Sequence, residues 1–315
     1  MSLNRSKRRK VDPTGQHSRR QKATRALNSR LRRSERQIKT LFNGIPTTRR
    51  TVTPLPNQTT VVYDYDISPA QSAQLEMEIR AVLNDEFGTQ GDTPGPGWFW
   101  ASEIEPPYRQ GTVEEVNKVN QLIVAAILAG LITDPFVRQI PDDVILQSTE
   151  YQATLRGAVV RNYGMIKSLS DRTSAQVIQE INSGVSGGFS PTDISKNISN
   201  RFKVSKSNAK RIADTEINRA YNDSKLKAAK TIETRTGQRT CVLHISALLP
   251  VTRDTHADRH GKAYTVEDQQ KWWDTGVNRI NCKCSTSTAL IQDDGTLMQT
   301  EDQETLKAER DFFER

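Results

Sequence analysis

The chain has 315 residues, 35% hydrophobic and 26% charged, an apolar share too low for one compact body of this length without long polar segments beside it. The formal charge of +8 is unevenly placed: residues 1–50 carry 16 Lys and Arg against Asp12 and Glu35, and the remainder is acidic on balance. No apolar stretch follows the basic start, the longest apolar run (Leu122 to Ile132) is too short to span a bilayer, and three cysteines make no paired disulfide framework. These features argue against a secreted, stably membrane-inserted or disulfide-stapled protein.

Residues 1–58 read as a disordered basic arm. A short helix between Ala23 and Phe42, with Leu27, Leu31, Ile38 and Leu41 on one side, is expected to be marginal without an anionic partner. The arm's expected partner is double-stranded DNA. Lys7, Arg8, Arg9, Lys10, Arg19, Arg20, Arg32 and Arg33 are its expected phosphate contacts, indifferent to base sequence.

A helical domain is expected over residues 59–183. Val61 to Tyr65 suggests a strand, and Ser68 with Pro69 opens a helix carrying Leu75, Ile79, Val82, Leu83 and Phe87. After a Gly/Pro-dense loop, Thr112-Val113-Glu114-Glu115 has the form of a capping box. The helix it opens turns apolar on nearly all sides late in its length and is expected to be buried there. Residues 149–182 read as two helices. The Gly/Ser-rich stretch from Ser183 to Ser190 marks the expected domain boundary.

Ser190-Pro191 begins a helix to about Phe202, and Ser205 a longer one ending near Gly237, with Ala209, Ile212, Ala213, Ile217, Ala220 and Tyr221 as its apolar stripe. Cys241 to Ile245 reads as a strand, Thr265 caps a short helix bearing Trp272 and Trp273, and Asn281 to Thr286 reads as a closing strand. The expected domain spans 190–291, followed by an acidic tail over 292–315. The fold class is thus mainly α with a small α+β C-terminal domain, in which the 205–236 helix packs on two or three short strands.

The chemistry is concentrated late in the chain. Cys282 and Cys284 stand two residues apart and share a face on a strand. His256 and His260, at i and i+4, converge if their segment is helical. The four make a sensible tetrahedral structural zinc site. Against this stands a core reading, in which the thiols face a small core and His256 bonds to the helix carrying Glu216. Glu216, Arg253 and His256 also suit a buried hydrogen-bonded cluster. An enzymatic alternative is a metal-dependent nuclease centred on His256 as base with Arg253 as phosphate clamp, but no nucleophile or carboxylate cluster completes it. The four tryptophans are read as packing anchors rather than base-stacking platforms.

The helix segment Arg211-Ile212-Ala213-Asp214-Thr215-Glu216-Ile217-Asn218-Arg219-Ala220-Tyr221-Asn222 precedes Thr252-Arg253-Asp254-Thr255-His256, His260-Gly261-Lys262 and Asn281-Cys282-Lys283-Cys284. In this order and spacing, residues 190–290 resemble the phage head morphogenesis family, the Mu F-like minor head proteins. Asp214 stands where that family usually has Arg. His244 falls near a position often held by Trp and is not expected to be a ligand. The resemblance implies a non-enzymatic minor capsid component of the virion. Such a protein is assembled into the procapsid in the host cytoplasm and associates with the portal and with major capsid or scaffolding protein. It also implies contact with DNA and a part in its packaging or ejection.

Overall fold

The computed structural model describes residues 12–55, 58–91 and 95–313. Lys7, Arg8, Arg9 and Lys10 lie outside them. The described residues are mainly α-helical, as expected, and hold two small sheets.

The expected disorder of residues 1–58 does not hold from Asp12 onward. His17–Asn43 forms one helix, α1, which buries Ala23, Leu27, Leu31, Ile38 and Phe42 along one face. Each large apolar side chain contributes about 1.5–3 kcal/mol on burial, whereas a like-charge pair one turn apart costs only a few tenths, on the order of 0.2–0.5 kcal/mol. Packing therefore outweighs the repulsion that made this helix look marginal. Strands β1 (Thr47–Leu55) and β2 (Gln58–Tyr65) follow as an antiparallel hairpin with Thr47 opposite Tyr65. Helix α2 (Pro69–Phe87) has the expected start, with Ser68 and Gln71 completing a capping box and Pro69 leading. It ends at Gly88, whose φ of 63° suits glycine.

A π-helical turn (Trp100–Ile104) leads directly into α3 (Glu105–Leu128). The helix thus starts a full two turns before the expected capping box. Thr112 lies buried inside it and donates to the Tyr108 carbonyl instead of capping. The late apolar stretch is not buried all round: Val119, Ile123 and Ala126 face the core while Val124, Ile127 and Leu128 are exposed, Leu128 by 83%. No helix among the described residues is long and apolar enough to cross a membrane.

After α4 (Asp142–Leu146), two single long helices replace the four expected: α5 (Thr149–Ser186) and α6 (Pro191–Thr236). The segment between them is a tight turn rather than a linker. Gly188 there has a φ of 65°, and a Cβ on Gly184 would strike Ile194. The two helices run side by side from that turn, joined by Thr173 to Ser205 (2.9 Å) and Arg201 to Glu180 (2.8 Å). Ser205 is therefore a buried partner of Thr173 and not a cap.

The last elements are β3 (Thr240–Ile245), α7 (Asp254–Ala257), β4 (Ala263–Tyr264), α8 (Val266–Asp274), β5 (Ser285–Leu290) and α9 (Glu301–Phe313). The sheet order is β4-β3-β5, antiparallel throughout, with Thr240 opposite Leu290 and Ile245 opposite Ser285. Alternation along β3 divides its neighbours. Val242 packs with Leu226, Ala229, Trp273, Cys282 and Cys284, while Cys241, Leu243 and Ile245 pack with Ala289 and Leu306. The expected acidic tail carries a helix, α9, whose Leu306 is fully buried with Cys241, Leu243, Ile245 and Ala289.

The chain divides into two compact units that do not follow the expected boundaries. One holds the described residues up to Gln21 with Phe99–Val159 and Ala213–Arg315. The other holds Lys22–Trp98 and Val160–Ile212. Three long helices (α1, α5 and α6) each contribute to both units, a pattern that no local break in composition announces.

Candidate functional site

Three imidazole and thiol elements meet on one face of the small sheet. Cys282 and Cys284 lie in the turn before β5, not in a strand. Asn281 opens that turn at a φ of 54°, a left-handed conformation that Asn tolerates better than most residues, and its N–H is held by Thr215 Oγ1 at 3.0 Å. Both thiols nonetheless reach the same ring: His256 Nδ1 is 3.3 Å from Cys284 Sγ and 3.6 Å from Cys282 Sγ. All three residues are buried.

His256 sits in the single turn α7. Its Nε2 lies 3.0 Å from Arg253 Nη1, and Arg253 also donates to the Ile280 carbonyl at 2.7 Å. Since Arg only donates, Nε2 accepts and Nδ1–H points at the sulfurs. Both ring nitrogens are thus engaged. Of the expected cluster of Glu216, Arg253 and His256, the structure brings the last two together, and Glu216 is buried on α6.

His260 does not join the thiols. Helix α7 ends at Ala257, so the i and i+4 relation to His256 is broken. His260 Nδ1 accepts from the Ser246 N–H at 3.0 Å, and its Nε2 is 3.4 Å from Glu309 on α9. Burial pushes its pKa down to about 4, helped by Arg310 and opposed by the Ser246 hydrogen bond.

His244, which was not expected to be a ligand, stands on the side of the sheet where His260 was expected. Strand alternation sends it to the same side as Val242, where ligand atoms of His244, His256 and Cys284 lie within 4.8 Å of one another. The ring is fully buried, and burial pushes its pKa down to about 3. Trp272 stands edge-on to both imidazoles, with ring centroids 4.8 Å from His256 and 5.3 Å from His244. Arg259 is sandwiched between Tyr264 and Trp272, 3.5 and 4.3 Å from their ring centroids. Trp100 and Trp273 are buried, and Trp98 bonds the Phe87 carbonyl, so the packing reading describes the tryptophans. Period-two reading of Cys241 to Ile245 carries the signal that finds His244. Nothing local points to Gln269 or Arg259.

The two thiols titrate as a pair. A hydrogen bond from Cys284 holds Cys282 well below the ordinary thiol value, with help from His256. Donating that bond, together with burial, pushes Cys284 well above it. Cys241, on the other face of β3, is pushed up to about 11 by burial alone. A cavity of about 210 Å³ opens beside the thiols, lined by Ala247, Leu249, Thr252, Arg253, His256 and Lys283 among others.

Helix α6 positions this turn through its polar face. Asn218 Nδ2 donates to the Cys282 carbonyl (2.6 Å), Asn222 Nδ2 to that of Cys284 (2.9 Å) and Lys225 Nζ to that of Thr286 (2.5 Å). Steps of four and three residues along a helix rise about 6 and 4.5 Å, close to the roughly 6.6 Å between alternate residues of an extended chain. The helix thus satisfies the outer carbonyls of the edge strand β5 and of the turn leading into it. Glu115 of α3 binds Lys225 (3.1 Å) and accepts from the Thr288 N–H (3.2 Å), which extends the ladder. The polar residues of the α6 motif and the Asn-Cys-Lys-Cys turn are two halves of one hydrogen-bonded joint.

Residues 175–287, which carry this joint, match the family model described as phage Mu protein F like protein. They are a Mu F-like region. The match bears out the resemblance drawn from residues 190–290 and begins earlier, within α5. Over residues 175–287 the chain is similar to phage head morphogenesis proteins. No curated protein and no solved structure matches the chain. Within the Mu F-like helix, Asp214, noted above as a departure from the family pattern, lies 3.8 Å from Arg20 of α1.

The expected DNA contacts divide sharply. Arg20 is 2% exposed and engaged by Asp12 (3.1 Å) and Asn218 (2.7 Å), so it is a structural cation and not a phosphate ligand. Arg33 forms a two-pronged pair with Glu86 (2.8 and 2.7 Å), and its fork is occupied. Arg19 and Arg32 are exposed. Arg25 and Arg36, which the sequence reading passed over, are exposed too and share a face of α1 with Arg32 by their spacing.

Proposed function

We propose that the protein is a minor head protein of a tailed bacteriophage, built into the procapsid and kept inside the capsid, where it binds the portal and packaged double-stranded DNA. The observation that carries this reading is the Mu F-like match over 175–287 in a chain whose first fifty residues hold 16 basic and two acidic side chains.

Phosphate binding falls to Lys7, Arg8, Arg9, Lys10, Arg19 and Arg32, joined by Arg25 and Arg36. Arg20 and Arg33 drop out because acidic partners already hold them. Neutralising phosphates releases counterions, so affinity falls steeply with salt, by a log–log slope of about −0.9 per phosphate contact. The exposed apolar end of α3, with Ile127 and Leu128, supports a protein partner, which we assign to the portal, with the major capsid or scaffolding protein as neighbours in the shell. A role in packaging or ejection follows from contact with both portal and genome.

Two measurements test this reading. A tagged chain should co-purify with portal from procapsids of infected cells. DNA binding of the full chain should weaken, and its salt slope flatten, when residues 1–11 are removed or when Arg25, Arg32 and Arg36 are changed together to Ala. Absence of the protein from heads and procapsids, or unchanged DNA affinity and slope in both variants, refutes the assignment.

A further inference from the structure

We propose that His244, His256, Cys282 and Cys284 hold one zinc ion, a structural site that ties β3, α7 and the turn before β5 together. Four observations carry it, none of which depends on the role in the phage head.

The first is spacing. Around tetrahedral zinc, with bonds of about 2.3 Å to sulfur and about 2.0–2.1 Å to nitrogen, a sulfur and a nitrogen ligand lie about 3.5 Å apart. His256 Nδ1 stands 3.3 Å from one thiol and 3.6 Å from the other. His244 supplies the fourth ligand atom, within 4.8 Å of those of His256 and Cys284.

The second is an orphaned lone pair. Arg259 Nη2 donates to Gln269 Oε1 at 3.1 Å, which fixes that atom as the amide oxygen. His244 Nδ1, 3.2 Å from the same oxygen, must therefore carry the proton and donate it. The lone pair is left on Nε2, which is buried without a hydrogen-bond partner. A buried acceptor with nothing to accept costs about 1–3 kcal/mol, and a metal removes that cost.

The third is the surrounding shell. Ligand histidines in metal sites donate their other N–H to a fixed acceptor, as His244 does to Gln269. The carbonyls of both cysteines are held by Asn218 and Asn222. Metal on His256 Nδ1 moves the ring proton to Nε2, and Arg253 then turns its donation to the carbonyls of Ile280 and Asn278, which it already reaches at 2.7 and 3.4 Å.

The fourth is charge and softness. All four residues are buried, where thiols persist reduced and two thiolates cancel the charge of one divalent ion. Two sulfurs and two imidazoles select zinc over the hard cations calcium and magnesium. Each Cys–S–H gives its proton to solvent as its sulfur–metal bond forms, with no change of oxidation state.

The test uses the full chain. Elemental analysis after dialysis should give one zinc per chain. Cobalt(II) titrated into the metal-free protein should give a thiolate-to-cobalt charge-transfer band and tetrahedral ligand-field bands. Since loss of a supporting residue alone lowers metal affinity about 10–100-fold, Cys282→Ser, Cys284→Ser and His244→Ala should each lower it by at least about 100-fold. His260→Ala should leave it at wild type, because His260 lies with Ser246 and Glu309. Ligand variants that fail to fold leave the wild-type cobalt spectrum as the deciding measurement. A wild-type chain without stoichiometric zinc and without the charge-transfer band overturns the proposal, as does a His260→Ala variant that loses the metal.

Discussion

Replacing Glu115 by Leu should unfold the unit that contains it more easily by about 3–5 kcal/mol, the usual cost of removing one partner from a buried ion pair. Glu115 is 1% exposed and sits 3.1 Å from Lys225 Nζ, itself 10% exposed at the side chain. At an effective dielectric constant of about 20, two unit charges at this distance attract by roughly 5 kcal/mol, about what it costs to desolvate them, so the intact pair is close to neutral. The substitution leaves two groups stranded: an ammonium left with the Thr286 carbonyl and the face of the Tyr221 ring, and the Thr288 N–H that Glu115 accepts. Lys225→Met should cost a similar amount for the mirror reason. The double variant should cost much less than the sum, with a coupling of several kcal/mol, because no charge remains buried. Urea unfolding of the four proteins, followed by fluorescence of Trp272 and Trp273 in the same unit, measures the cycle. A loss below about 1 kcal/mol for Glu115→Leu, or strict additivity in the double variant, refutes the view that this pair anchors the edge of β5.

Gly111→Ala should destabilise by about 1–3 kcal/mol although Ala is the better helix former, because the new Cβ would strike Ser224 and the Tyr221 carbonyl; Gly157→Ala, with open space around it, should instead stabilise by up to about 1 kcal/mol, and thermal melts compare the two. Arg20→Ala should lower the melting temperature and leave DNA affinity per folded molecule unchanged, whereas Arg25→Ala and Arg32→Ala should do the reverse, as melts and filter binding will tell. His260 is pushed from 6.5 to about 4, so between those values the unfolded chain takes up a proton that the folded chain refuses. The His260 contribution to stability should therefore fall as pH drops through that window and level off below it, while that of His244 goes on falling to about 3. His260→Gln should flatten the fall, and a slope identical to wild type in melts at successive pH values would contradict the assignment.

The fold class and the starts of several elements are legible in the residues because each rests on local chemistry, whereas Asn281 to Cys284, read as strand, form a turn. Ser68-Pro69 starts α2 as read, and the strand at Cys241 to Ile245 stands where its composition puts it. Errors arose where a polar residue had two uses. Thr112 and Ser205 have the form of caps, yet a buried helix gave each a side-chain role inside it. The Gly/Ser stretch has the composition of a linker, yet small residues equally serve a tight turn between close-packed helices. The cations of residues 12–50 look alike in sequence, and partners such as Asp12, Asn218 and Glu86, some of them distant in the chain, separate Arg20 and Arg33 from Arg25 and Arg32.

The order of residues by itself determined the fold class, the charge asymmetry and the Mu F-like signature, since all three depend on periodicity, composition and spacing. Tertiary structure alone decided which histidine joins the thiols. Spacing favoured His260, but α7 ends after one turn and β3 delivers His244 to the same face from the far side of a loop. Such convergence is set by how a sheet and a helix pack, an energy shared among many distant side chains that no single stretch of sequence contains.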